Sequence, residues 1–528
     1  MRGKAALIKS LQRTSLYFLG FLVMASVASR EGDGFQAIQG RTFTRPIRTE
    51  DPFLRSLRPL IEYRFDSQSD FSRRVVSNRG STRLFNGRIV GNAQLVAGVL
   101  GNGISHDGQT SFVEVGRSQY LSFRRGVTVE AFIWRRANEN EDAIASKWYG
   151  WGDQWLLTFY ADGDGRLVFG VRLRDRTYAS VEYSPDDASY LQNWVHVAAT
   201  YDGLGLLRLY WNGELVAETL AEGQGLGPGN RPIHIGDAGP DWSRFDGEID
   251  EVQIWPRALA PEELARRLRP RVLVIEYDST DPTYNDPREI SDNLIENIRE
   301  ATDGFVEFSI ADWKVTNLLP PQREGGGFDY AGVFNTFNVC PLASQGDIHE
   351  VWIWAGPDGG LLEYAINGPW WEAYGLGVGM PACNIQMVVM GLNYERQLPE
   401  AMHSFGHRLE QIFRHHWGQY WDAFDGQYER YGYEIQPPLE TTGQHCGNVH
   451  FPPNADAHYE HGSLDVVSSN ADDWHSDESG DYLDLDCEAW GCTEDGFLFW
   501  WMSHMPGARN TNGPGGTPLP NWWTAVVE

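Results

Sequence analysis

The stretch Glu400-Ala401-Met402-His403-Ser404-Phe405-Gly406-His407-Arg408-Leu409-Glu410 sets two imidazoles four residues apart. Positions i and i+4 share a helix face, so His403 and His407 can grip one metal ion, and zinc suits such nitrogen donors. In the peptidase version of this spacing a glutamate follows the first histidine and acts as general base. Ser404 stands there instead, so that chemistry does not carry over. At about 100° per residue, Glu400, His403, His407, Glu410 and Arg414 form one stripe, and Met402, Phe405, Leu409, Ile412, Phe413 and His416 the opposite one. The polar stripe is either a solvated face with Glu–His pairs or the floor of a pocket that later chain closes.

Candidate partners for that floor crowd the C-terminal half. Of 14 histidines only His106, His196 and His234 precede residue 340. His445, His450, Asn454, Asp456, His458, Glu460 and His461 lie close together, and Asp484 and Asp486 follow. His403, His407, Glu410, Glu400, His450 and His458 are the candidate ligands of one site, with zinc as its guest. Gly406 inside a helix costs about 1 kcal/mol relative to Ala, which a closely approaching backbone would explain. Cys340, Cys383, Cys446, Cys487 and Cys492 all fall in this half. In an oxidising compartment two disulfides with one thiol left over are expected, the pairing being open. A zinc site from Cys446, Cys487, Cys492 and His445 is the lesser alternative, because export favours disulfides.

The elements that must position these groups differ between the two halves. From Leu60 to Leu268 short alternating runs are broken at Asp202-Gly203 and Asn212-Gly213, dipeptides that accept the positive φ of tight hairpin turns. Val127-Thr128-Val129-Glu130-Ala131-Phe132-Ile133-Trp134, Trp194-Val195-His196-Val197-Ala198-Ala199-Thr200-Tyr201, Leu209-Tyr210-Trp211-Asn212-Gly213 and Phe245-Asp246-Gly247-Glu248-Ile249-Asp250-Glu251-Val252-Gln253-Ile254-Trp255 carry the pattern. In order and wording these blocks resemble the laminin-G-like jellyroll of the concanavalin A-like lectin and glucanase superfamily. The resemblance implies a β-sandwich and carbohydrate or protein binding on its loops. Trp148, Trp151 and Trp155, set around Gly150 and Gly152, are the candidate sugar platform, whereas Trp134, Trp194 and Trp255 are core by pattern. Superfamily members often bind calcium near such loops, which makes Asp246 and Asp250 candidate calcium ligands. No Glu-x-Asp-x-x-Glu strand is present, so glycosidase chemistry is not expected in this half.

At Arg271 the pattern changes. Val272-Leu273-Val274-Ile275 reads as a strand buried on both faces, Ile290, Leu294, Ile295 and Ile298 as one face of a helix, and Phe305 to Ile310 as a returning strand. Val351-Trp352-Ile353-Trp354 and Ile385 to Met390 extend the sheet, a helix runs from Pro399 to about Trp417, and residues 418–528 form a long irregular tail. The second half is therefore α/β, with its tail tied by disulfides. Residues 271–528 are similar to a family of secreted bacterial proteins with no assigned activity, which supplies no catalytic residues.

Arg2, Lys4, Lys9 and Arg13 precede the apolar run Leu16 to Ala28, too short for a membrane span and ending in the small residues Ser26 and Ala28, which suit cleavage after Ala28. This reads as a signal peptide at 1–28, then a linker at 29–58, a jellyroll at 59–269 and an α/β domain at 271–528, in a chain that is secreted or held at the cell surface or in the periplasm. A net charge of −29 repels phosphate backbones and anionic lipid, so nucleic acid and membrane surfaces are excluded as partners. The sequence alone favours a secreted two-domain protein that recognises an extracellular glycan or protein through its jellyroll. The alternative is a metal-dependent hydrolase of peptide or glycan whose jellyroll targets it to substrate.

Overall fold

The computed structural model describes residues 58–527 apart from 124–125, 138–141, 149–153, 161–164, 186–189, 230, 240–243, 265–267, 278–284, 426–429, 432–433, 436–444, 476, 478, 508–509 and 511–518. The expected signal peptide, the expected linker up to residue 57, and Trp151 lie outside the described residues. No helix among the described residues is long and apolar enough to cross a membrane.

Two eight-stranded antiparallel sheets form the first half. One runs in the order Glu214–Leu220, Leu206–Trp211, Trp194–Tyr201, Val127–Arg135, Asp246–Trp255, Asn102–Asp107 and Gln94–Ala97, with Ile61–Tyr63 also pairing on Asp246–Trp255. The other runs Tyr178–Tyr183, Leu167–Arg172, Trp155–Phe159, Asp142–Ser146, Ile233–Ile235, Phe112–Val115, Gly87–Val90 and Val75–Val76. Asn212 and Gly213 take φ of 48° and 80°, the left-handed pair that a two-residue hairpin needs. Ile133, Val195, Val197, Ile249, Trp155, Leu157 and Phe159 fill the space between the sheets. Strand Trp194–Tyr201 is buried at every residue, where alternation alone would leave one face polar. Its outer face is covered: Phe132 and Trp194 join the core of the second half, and Ala198 packs with Trp255, Leu259 and Leu264. After the last of these strands the chain makes a single 3-10 turn, Pro261–Glu263.

The second half is a six-stranded mixed sheet. Strand β1 (Arg271–Tyr277) leads through helix α1 (Pro287–Ala301) to β2 (Ser309–Thr316), and β3 (Glu350–Ala355), β4 (Tyr364–Asn367) and β5 (Met387–Asn393) follow. The order is β2-β1-β3-β5-β4, parallel through β5, with β4 antiparallel to β5 and a two-residue strand, Glu372–Ala373, beyond it. The returning strand thus begins later than the apolar run suggests. Phe305, Val306 and Phe308 are core residues under the sheet, and the strand itself lies at an edge with five of its eight residues exposed. Helix α2 (Leu398–Asp425) departs from helical geometry at Gly418, one residue beyond the expected end at Trp417, and helix α3 (Glu494–Ser503) packs against it.

One sheet face carries Val272, Val274, Trp352, Trp354, Val388 and Met390 against α1, α2 and the tail. The opposite face carries Leu273, Ile275, Val351, Ile353 and Val389 against two short helices, Tyr330–Thr336 and Val339–Ala343. Trp501, Trp522 and Trp523 are buried in the first of these cores, so they are packing residues. Disulfides join Cys340 to Cys383 and Cys487 to Cys492; Cys446 is a buried thiol.

Candidate metal centre

Helix α2 has an inner face of Met402, Phe405, Leu409, Ile412 and Phe413, all without exposed surface. Arg408 lies wholly buried beside them. Its guanidinium makes a two-point ion pair with Glu350 of β3 and donates to the Val526 carbonyl, while Trp352 Nε1 donates to the same Glu350 carboxylate at 3.0 Å. This ion pair fixes the rotation of the helix, so His403 and His407 face away from the sheet.

The tail closes over them. Cys446 N donates to Phe424 O at 2.8 Å, Trp501 Nε1 to Gly447 O at 2.9 Å, and Val449 N to Glu410 Oε1 at 3.2 Å, which delivers His450 above the helix. His403, His407 and His450 then each offer a ring nitrogen within 4.8 Å of the others, the one metal-sized group of His, Cys, Asp and Glu among the described residues. His407 Nε2 and His450 Nε2 are 3.1 Å apart. Two nitrogens bound at about 2.0–2.1 Å to a tetrahedral ion stand about 3.3 Å apart, so the spacing fits. Carboxylates stand beside two of the rings: Glu410 Oε2 is 2.7 Å from His407 Nδ1, and Glu494 Oε1 is 3.3 Å from His403 Nδ1. Carboxylates placed behind metal-binding imidazoles fix the tautomer and raise ligand basicity.

The electrostatics agree with a cation site. Burial pushes His450 down to about 3, and the neighbouring His407 and His403 add to the fall, so its imidazole is neutral and ligand-competent at neutral pH. Burial would raise Glu410, but His407 and the Val449 N–H outweigh it and hold the carboxyl below its ordinary value. Glu494 is also held low, chiefly by His403. Imidazole donors of this kind suit zinc, copper, iron or nickel. A cleft of about 190 Å³ opens beside the cluster, lined by Trp354, Gly356, Glu363, Asn393, Glu400 and Ser404 among others. On its edge Glu363 Oε2 lies 3.8 Å from His407 Nε2. The Tyr459 hydroxyl lies 3.1 Å from His450 Nε2.

Of the six ligand candidates, three converge. Glu410 stands behind His407, not among the converging nitrogens. Glu400 is paired with Arg396. His458 is exposed, its ring 5.5 Å from that of His450 and 4.4 Å from that of Phe451. His445 is buried and faces the Gly447 N–H, and burial pushes it down to about 4. The alternative zinc site is overturned because Cys487 and Cys492 are bonded to each other. Glu363, Tyr459 and Glu494 escaped the sequence reading. Glu494 opens a helix after Thr493, where an acid reads as ordinary N-terminal charge, and Glu363 and Tyr459 belong to no motif.

The jellyroll candidates fare differently. Trp155 has no exposed surface and packs against Phe123, so it belongs to the sandwich core and offers no face to a sugar. Trp148 is half-buried, edge-on to Tyr178 with the Arg172 guanidinium over its ring. Asp246 and Asp250 each have other partners. Asp246 is held by Arg136 at 2.7 Å. Asp250 is fully buried, accepts from Leu100 N and Glu251 N, and is pushed well above the ordinary carboxylate range by burial and by Glu251 and Asp66.

Residues 107–265 match the laminin G model of the concanavalin A-like lectin/glucanases superfamily. No curated protein matches the chain. Among solved structures, the binding domain of Paraclostridial Mosquitocidal Protein 1 is similar at 18% identity over 40% of this chain and 51% of that one, with a TM-score of 0.33. The binding domain of botulinum neurotoxin DC, solved in complex with SialylT, is similar at 16% identity over 40% and 50%, with a TM-score of 0.31. The chain spans about half the length of these solved structures. The family match ends before the first residue of the histidine cluster, so it identifies the sandwich as a concanavalin A-like module and leaves the metal centre to be argued from its own geometry.

Proposed function

We propose that the protein is an exported metal-dependent hydrolase of peptide or glycan, held on its extracellular substrate by a lectin-like jellyroll. The observation that carries this reading is the convergence of His403, His407 and His450 beside an open cleft, with Glu410 and Glu494 behind two of the rings. Three protein donors leave further coordination positions for water and substrate, as catalytic zinc sites do. A bound divalent ion supplies a Lewis acid that polarises the oxygen of the scissile group and acidifies water. His407 is oriented for such a guest by Glu410, which also holds the Val449 N–H and so ties ligand geometry to closure of the tail. Export is supported by the basic and apolar N-terminus and by two disulfides in the C-terminal half. The jellyroll's part in glycan or protein recognition is supported by the superfamily match.

Metal analysis of the purified full chain tests the reading. About one equivalent of zinc or another first-row metal is expected, lost in the His403→Ala, His407→Ala double variant while the melting temperature of the metal-stripped protein stays within a few degrees. Hydrolysis of a peptide or glycan library is expected to disappear with the metal. A wild-type chain that takes up no metal from micromolar zinc rules the proposal out.

A further inference from the structure

We infer that Glu363 is the general base of this centre; the inference rests on the hydrolase reading above. Ser404 occupies the helix position from which a glutamate would act, and it lines the cleft without a carboxylate to offer. Four glutamates surround the imidazoles, and geometry separates them. Glu400 is tied to Arg396. Both oxygens of Glu410 are engaged, by His407 Nδ1 and Val449 N. Glu494 is engaged by His403, with Oε1 3.3 Å from its Nδ1. Glu363 has its Oε2 at 3.8 Å from His407 Nε2, the nitrogen that faces His450, and its carboxylate opens on the cleft. That is too long for a hydrogen bond and within the reach of one bridging water, where a base must stand.

Its setting suits the role. The Glu363 carbonyl accepts from Gly391 N at 3.0 Å, so its backbone is fixed to β5, the strand that leads into α2. The next residues, Tyr364–Asn367, are buried throughout, while the Glu363 side chain is 48% exposed at the cleft. A carboxylate on the residue that leads into a buried strand therefore stands between the cleft and the nitrogens. As a water oxygen bonds to the scissile carbon, Glu363 takes one of its protons. When the bond from that carbon to the leaving nitrogen or oxygen breaks, the proton passes to the leaving atom and Glu363 returns to its carboxylate form.

The test uses the full chain loaded with cobalt(II), with acetohydroxamate as probe, because a hydroxamate binds a metal as its anion and must give up a proton to a nearby base. Cobalt stoichiometry is measured first, then acetohydroxamate affinity from the cobalt absorption bands. Glu363→Gln is expected to keep about one cobalt per chain and an unchanged melting temperature, and to bind acetohydroxamate at least roughly tenfold more weakly; in hydrolysis assays kcat falls roughly 100-fold or more. Affinity within twofold of wild type overturns the assignment. So does loss of cobalt from the variant, which would make Glu363 a ligand, and so does failure of the cobalt-loaded wild type to bind the probe. A wild type that takes up no cobalt defeats the hydrolase reading itself and this assignment with it.

Discussion

Arg408 touches neither the cleft nor the converging nitrogens, yet it decides where two of those nitrogens point. By type, an arginine between His407 and Leu409 reads as surface; in the structure it is buried against Glu350, with its guanidinium 4.7 Å from the Phe405 ring centroid. Removing one partner of such a pair leaves the other charge buried and uncompensated. Arg408→Ala is therefore expected to cost about 3–5 kcal/mol in urea unfolding. Arg408→Met with Glu350→Gln is expected to recover much of that loss. Equal losses in the single and double variants would show that the pair does not hold the helix. The histidine pair itself was legible, because i, i+4 spacing is a property of the helix. Glu363, Glu494 and Tyr459 were not, since each comes from a different element and none has a spacing relation to His403.

At the scale of elements, Gly406 shows how helix α2 and the tail fit together. A Cβ there would stand 2.6 Å from Val449 Cγ2 and 3.3 Å from the Trp501 ring. The close approach expected from a mid-helix glycine is real, but side chains make it, where a backbone was anticipated. Gly406→Ala gains about 1 kcal/mol of helix propensity and loses about 1–3 kcal/mol to overpacking, so a small net destabilisation is expected. Because Val449 precedes His450, zinc affinity by competition titration is expected to fall more than the melting temperature. A variant with wild-type affinity would mean that the tail repacks without moving the third imidazole. The strands of the jellyroll were legible through alternation and turn dipeptides. Their outer-face burial was not, because it depends on what the second half places against Phe132 and Trp194.

Across the whole molecule, a buried polar network joins the sandwich to the α/β half. Asn102 Nδ2 donates to Asp66 O at 3.1 Å and to Asn384 O at 3.0 Å, and Arg271 reaches Gly346 O at 2.6 Å and lies 3.8 Å from Asp66. Burial raises Asp66 to about 6, with Arg271 and the Asn102 N–H opposing only in part. A carboxyl whose folded value exceeds its unfolded value of 3.8 holds a proton in the native state that the unfolded chain has lost. Its contribution is complete below about pH 4 and declines as pH rises through about 6. Asp66→Asn, a neutral mimic of the protonated acid, is expected to gain on wild type by up to about 3 kcal/mol between pH 4 and 6.5 and then to run parallel to it. Paired melting curves check this, and comparison of two chains differing at one residue cancels the titration of every distant histidine. A constant difference across that range would show that Asp66 is charged in the folded protein.

The sequence by itself determined the two architectures, the hairpin turns, the helix that carries His403 and His407, and the absence of a glutamate at 404, because periodicity, turn chemistry and i, i+4 spacing are local. It also placed His450 among the candidates. Which of six candidates meet, that Cys446 is left over, that Trp155 is core, and that Asp246 and Asp250 have other partners were decided only by the tertiary structure. The physical reason is that a ligand set is a matter of convergence. Convergence here depends on Arg408 setting the rotation of a helix and on the tail folding across it, neither of which leaves a period in the chain.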